Sequence, residues 1–175
     1  MTPTSRRTRV LVRALLAVAV LGGAVTAHAT EEITITSAYA RAKRVLGYAS
    51  FEGVMSLTDV IDVSHGLTVT MADGSGALAV AHEFTPAQCR IGRERITCFE
   101  RFDSNRFRRV RLRPLQSRGG PLEGYAVSVW LAAVDVGHPL AGPLTVGLTA
   151  GSLDAEGTSF DCTPVGRRRL SCAAP

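Results

Sequence analysis

Apolar and polar residues alternate along much of this chain. Ile33-Thr34-Ile35-Thr36 and Leu67-Thr68-Val69-Thr70-Met71 do so without a break. A period of two puts successive side chains on opposite faces of a pleated strand, so such runs predict strands buried on one side. In the first half of the chain they lie at 33–36, 48–57, 67–71, 77–84 and 95–99. In the second half they lie at 110–112, 125–134, 144–148, 159–162 and 168–172. Turn residues fall between them, as in Asp73-Gly74-Ser75-Gly76 and Gly137-His138-Pro139. Only 37–46 competes as a helix, and it is short and lacks an apolar stripe. About ten short strands predict an all-β fold, a sandwich or a barrel. Our expectation is the sandwich.

The chain also resembles itself. Displaced by 77 residues, Gly47-Tyr48-Ala49 falls on Gly124-Tyr125-Ala126, Leu67-Thr68-Val69 on Leu144-Thr145-Val146, and Gly74-Ser75 on Gly151-Ser152. Ile33 and Ile35 meet Val110 and Leu112. Further on, Arg95-Ile96-Thr97-Cys98 matches Arg169-Leu170-Ser171-Cys172 after a small deletion. An internal duplication of a five-strand unit accounts for this ordered series. The half-copies run from about 30 to 103 and from about 104 to 175. No linker-like stretch parts them, so one shared domain over 30–175 is expected.

Composition changes the picture mainly at the N-terminus. The chain has 175 residues, 46% hydrophobic and 20% charged, which excludes a mostly disordered polymer. Its net charge of +5 includes Arg6, Arg7, Arg9 and Arg13, and no acid precedes Glu31. Without those four arginines the basic and acidic residues nearly balance, so no nucleic acid is expected as a partner. An apolar run at 14–25 and Ala27-His28-Ala29 follow the arginines. Residues 1–29 therefore read as a secretory signal peptide cleaved after Ala29, bacterial in style. No membrane span is expected after its removal, and the mature chain is predicted to be secreted or periplasmic.

Four cysteines exported to an oxidising compartment predict disulfides, with three pairings open. The duplication favours Cys89–Cys98 and Cys162–Cys172, each closing a hairpin within its own copy. Zinc knuckles keep about two to four residues between their cysteines, far fewer than either pair has here, so no metal is expected.

Phe84 to Cys98, ending Arg-Ile-Thr-Cys, and Phe160 to Cys172, ending Arg-Leu-Ser-Cys, resemble the terminal hairpins of Ig-like repeats in secreted bacterial proteins. The likeness covers about fifteen residues per copy. It implies a β-sandwich with a non-catalytic role and transfers no functional residue.

The densest charge run is Arg106-Phe107-Arg108-Arg109-Val110-Arg111-Leu112-Arg113. As a strand it turns Val110 and Leu112 inward and Arg109, Arg111 and Arg113 outward, about 6.6–6.8 Å apart. That pitch suits an anionic polymer. The plainer reading is a solvated face with cross-strand acids, or a charged edge strand. The aligned positions in the first copy are Glu32, Thr34 and Thr36, so the core pair is kept while the outer face differs. Asp62/His65 and Asp135/His138 each place an acid three residues before a histidine, which could orient an imidazole for hydrolysis or simply form a polar turn. His82 reads as a packed or edge histidine, and Trp130 as a core residue. No nucleophile elbow, paired catalytic carboxylates or phosphate loop stands out, and no cofactor is implied. The expected function is a non-catalytic binding or scaffold module whose partner is an acidic extracellular polymer or a surface protein. The alternative is an exported hydrolase built on the two Asp-His turns.

Overall fold

Residues such as Val69, Val129 and Leu148 can leave water only if their strands find neighbours for every backbone group. Among the described residues they do so in twelve strands. A computed structural model describes residues 30–43, 46–104, 106–116 and 120–173. Residues 1–29, which the sequence suggests are a signal peptide, lie outside the described residues. The strands are β1 (Glu31–Arg41), β2 (Gly47–Met55), β3 (Leu67–Asp73), β4 (Ala79–Phe84), β5 (Cys89–Ile91), β6 (Ile96–Arg101), β7 (Phe107–Gln116), β8 (Leu122–Val134), β9 (Leu144–Ala150), β10 (Leu153–Ser159), β11 (Cys162–Pro164) and β12 (Arg169–Ala173). The protein is all-β, with one 3-10 turn at Pro86–Gln88 before β5.

The strands follow one hydrogen-bonded path, β4-β3-β9-β10-β1-β2-β8-β7-β6-β5, with β12 beside β1 and β11 beyond it. This is a nearly closed, barrel-like sheet. β1 turns the corner. Glu31 and Glu32 pair in parallel with β10, and a bulge between Ile35 and Ser37 then swings the strand so that Ser37–Arg41 lies between β2 and β12. A bulge bends a strand and increases its twist, which such a corner requires. The order reads the same when β1–β6 are exchanged for β7–β12: β6 lies on β7 as β12 lies on β1, and β2–β8 and β3–β9 pair across the middle. One feature breaks the exchange. The β10–β1 ladder has no β4–β7 counterpart among the described residues.

Both disulfides, Cys89–Cys98 and Cys162–Cys172, close the hairpins β5–β6 and β11–β12. Two such bonds suit an oxidising, extracellular or periplasmic setting. Inward side chains from every long strand fill one continuous core, including Phe51, Phe84, Leu112, Leu131 and Leu148. Each is worth about 1.5–3 kcal/mol of hydrophobic stabilisation. No helix among the described residues is long and apolar enough to cross a membrane.

Several expectations change. Strand β10 covers 153–159, where the sequence suggested a turn, and β1 runs through Ser37–Arg41, where a helix competed. Strands β5 and β11 span three residues each, too few to show a period. The match of Gly47-Tyr48-Ala49 to Gly124-Tyr125-Ala126 does not preserve the face: Tyr48 lies on the outside, whereas Tyr125 is buried. Glycine opens β2, but β8 starts at Leu122, two residues before Gly124, and the pleat assigns the two tyrosines to opposite sides.

Candidate functional site: an arginine and aromatic face

The period of two holds on β7. Val110 and Leu112 are buried, and Arg109, Arg111 and Arg113 point outward. β7 lies between β6 and β8, so these arginines occupy the middle of the sheet rather than a free edge. Directly opposite Arg109 are Phe99 and Trp130, opposite Arg111 are Thr97 and Ser128, and opposite Arg113 is Ala126. No acid faces them across the strands. Among the described residues the ion pairs lie elsewhere, at Arg106–Asp103 and around Glu100.

Arg111 and Arg113 join Arg95 along a groove of about 410 Å³. Ala126 and Ser128 give it a shallow floor because their side chains are small. Thr36 and Glu52 also line it, so a single carboxylate stands against three guanidinium groups. Arg109 turns away from this groove and lies 5.3 Å over the ring of Phe107. Burial, then the charge of Arg111, lowers its pKa from the usual guanidinium value.

Beside the groove runs a row of aromatic rings that crosses five strands. Tyr39 on β1 stacks on Tyr48 of β2 at 5.6 Å, and Tyr48 stacks on Trp130 of β8 at 5.1 Å. Trp130 meets Phe107 of β7 at 6.4 Å, and Phe107 meets Phe99 of β6 at 5.8 Å. The expectation that Trp130 belongs to the core is therefore corrected. Val129 and Leu131 take the inward positions of β8, and the pleat leaves Trp130 outside and half-buried by its neighbours. Cations accompany the row: Lys43 lies 5.3 Å over Tyr48, and Arg101 5.8 Å over Phe99. Burial alone would raise the Tyr48 pKa, but hydrogen bonds with Arg41 and Tyr39 and the charges of Arg41 and Lys43 hold it below the usual phenol value. Tyr39 is raised, first by burial and then by its hydrogen bond with Tyr48.

Arg108 belongs to the same charge run but faces the other way, into the gap where β4 and β7 do not pair. Its Nε donates to Ala132 O at 3.1 Å and its Nη2 to Ala133 O at 3.0 Å. Nη1 donates to His82 Nδ1 at 2.9 Å and to Glu100 Oε2 at 3.3 Å. Ala133 has a φ of 55°, which costs an L residue about 1–2 kcal/mol, so Arg108 holds a strained carbonyl. Because His82 Nδ1 accepts, its proton sits on Nε2. That nitrogen lies 3.3 Å from Glu100 Oε2 but off the line of a hydrogen bond. Burial lowers the His82 pKa, Arg108 lowers it further, and Glu100 and Glu83 only partly oppose them. The reading of His82 as a packed histidine on an edge strand agrees with this setting. Phe84 meets its ring edge-on at 4.6 Å.

The two Asp-His turns differ in their contacts. Asp62 accepts from the backbone N–H and the hydroxyl of Ser64, and Ser64 Oγ lies 3.0 Å from His65 Nδ1. The serine hydroxyl is thus held between acid and imidazole on an exposed turn. No hydrogen bond or ion pair joins Asp135 to His138 among the described residues.

Comparison of the chain with protein-family models, with curated proteins and with solved structures returned no match. Sequence reasoning found the outward arginines but missed the aromatic row and the Arg108 cluster. The row was in reach, since the same alternation that turned Arg109 outward applies to Tyr48 and Trp130.

Proposed function

We propose that this is an exported, non-catalytic binding protein that takes an anionic polymer on the outer face of β7, with Arg109, Arg111 and Arg113 as principal contacts. Removal of residues 1–29 as a leader, and a β-sandwich descended from a doubled unit, belong to the same reading. Support for the doubling comes from the exchangeable strand order, the matched β3 and β9 and the two disulfide hairpins. The ligand reading rests on one observation: the guanidinium groups of Arg95, Arg111 and Arg113 line the groove with one opposing carboxylate, while Arg109 stands beside it over Phe107. Guanidinium forks suit carboxylate and sulfate oxygens, and uncompensated positive charge in a concavity concentrates such ligands.

The test is binding of the disulfide-intact protein to dextran sulfate and to polygalacturonate across a salt series. The Debye length falls from about 10 Å at 0.1 M to about 3 Å at 1 M, so affinity should fall steeply over that range. The triple variant Arg109→Gln/Arg111→Gln/Arg113→Gln should bind at least tenfold more weakly at low salt. Absence of binding, or an unchanged triple variant, overturns the proposal.

A further inference from the structure

The groove accounts for Arg111 and Arg113 but leaves the row beside it unexplained. Half of the chain's Phe, Tyr and Trp residues stand in that row, one on each of five neighbouring strands. We propose that the row and its cations form one elongated site that binds an acidic polysaccharide lying across the strands, from β6 to β12. This rests on the anionic-ligand reading above and extends it by naming the ligand class and the second half of its site.

Strand register sets the layout. In one row of outward positions lie Phe99, Arg109, Trp130, Ser50, Tyr39 and Ser171. The adjacent row brings Arg101, Phe107, Tyr48, Arg41 and Arg169. Rings and cations thus alternate on β6 and β7, Arg41 and Arg169 stand side by side at the other end, and no carboxylate occupies either row. The nearest outward acid, Glu52, stands one row further along β2, in the groove. A charge distribution of this kind matches an extended chain carrying an anion on successive units, and no single small anion could use all of it.

The geometry of the rings selects among polyanions. The Tyr39–Tyr48 and Tyr48–Trp130 planes are each 22° from parallel, at centroid distances that place face against face. Tyr48 is flanked by the other two rings, which each turn one face to it. Ring edges, hydroxyls and guanidinium groups are therefore what the centre of the row offers to a ligand. Ring edges carry the positive end of the aromatic quadrupole and favour oxygen-rich, anionic partners. Single-stranded nucleic acid needs a series of open ring faces on which successive bases stack, and the centre of this row is closed by its own stacking. A glycan with carboxylate or sulfate groups needs only donors and edges, and its hydroxyls can also meet Ser50, Ser128 and the tyrosine hydroxyls.

The experiment uses the chain's one tryptophan, Trp130, which stands in the middle of the row. Polygalacturonate titrated into the disulfide-intact protein should change its emission saturably and protect it from acrylamide quenching, while neutral dextran should do neither. A second arm uses Arg169→Gln, which removes an exposed charge at the far end, on β12. β12 lies four strands from β7, about 19 Å at the usual strand spacing. That exceeds the Debye length of about 8 Å at physiological salt, so a ligand confined to the β7 groove would not sense the change. The expected result is at least a threefold loss of polygalacturonate affinity, with thermal unfolding unchanged. If polygalacturonate binds in a salt-dependent way but Trp130 emission and this variant's affinity stay at wild-type values, the row proposal fails while the anionic-ligand reading survives. If oligo-dT or polyglutamate binds as tightly and protects Trp130 as well, the polysaccharide class fails. If no polyanion binds at all, both readings fall.

Discussion

Arg108 occupies the seam that the backbone leaves open, so its removal should cost more than that of any arginine on the outer face. Consider Arg108→Met, which keeps most of the apolar stem and deletes the guanidinium. Ala132 O and Ala133 O lose their donors, His82 Nδ1 loses its proton source, and Glu100 loses its cation. Hydrogen bonds to charged groups are worth about 1.5–3 kcal/mol each when desolvated. The arginine and glutamate side chains are 18% and 26% exposed, so water recovers part of each loss. A net destabilisation of about 3 kcal/mol follows, a large share of the 5–15 kcal/mol typical of a domain. Urea unfolding followed by far-UV circular dichroism should show a lower midpoint at unchanged slope. Glu100→Gln added to Arg108→Met should restore part of the loss, because the uncompensated carboxylate disappears. A loss below about 1 kcal/mol, or no recovery in the double variant, would refute the assignment of Arg108 as the closure of the seam.

Three further outcomes are expected. The His82 pKa lies below its ordinary value of 6.5, so its contribution is intact above that pH and is lost as pH falls from there toward the depressed folded value. His82→Phe should flatten the stability profile between neutral pH and pH 5, and parallel profiles for the two proteins would contradict this. Asp73 is 7% exposed and accepts from the backbone of Leu78 at 2.8 Å and of Ala141 at 2.9 Å, and from the Ser75 hydroxyl. Burial would raise its pKa, but these donors outweigh it, so its contribution is present above the unfolded value of 3.8 and lost as pH falls through the lower folded value. Asp73→Ala should cost about 3 kcal/mol at neutral pH in the same urea assay, with a smaller difference from wild type in acid. Replacing either disulfide by alanines should cost about 2.7 kcal/mol for loops with separations of 9 and 10 residues. Calorimetry should show one lowered transition rather than a second one, because each hairpin lies on the first strand of the other half.

What the sequence revealed depended on how strongly each strand advertises its inner face. β3 and β9 alternate large apolar residues with threonine and were legible at once. β10 was not, because its inward positions are Leu153, Ala155, Gly157 and Ser159, mostly small. The reason lies in tertiary crowding: a Cβ at Gly157 would meet Ile33 O at 2.1 Å, where β1 passes. The cysteine pairing was legible because each pair flanks a turn within its own half. Arg109, Arg111 and Arg113 followed from Val110 and Leu112. Trp130 was misplaced because residue type was weighed above the period that already put Val129 inside. The Arg108 cluster had no local signal, since it depends on β4 and β7 approaching without pairing, which no stretch of sequence displays by itself.

The two halves agree where the core must be filled and differ at two places, and those differences carry the chemistry. On one side of the fold, Glu31 and Glu32 close the path by backbone pairing with β10. On the other side no ladder forms, and Arg108, His82 and Glu100 fill the gap with side chains instead. Outside, β1 presents Thr34 and Thr36 where β7 presents arginines. A symmetric sheet offers no reason for either difference, because packing would be served by the same solution twice. The seam has a structural cause, since an unpaired strand edge needs its polar groups satisfied. The arginine face has none: Arg111 and Arg113 stand outward, and the ion pairs among the described residues lie elsewhere. A charged array in the middle of a sheet, with no acid across from it, works against the stability of the fold through mutual repulsion. A ligand that neutralises it should therefore stabilise the protein against unfolding in proportion to its occupancy, and a rise in melting temperature with polygalacturonate that the triple arginine variant lacks is the direct expression of that linkage.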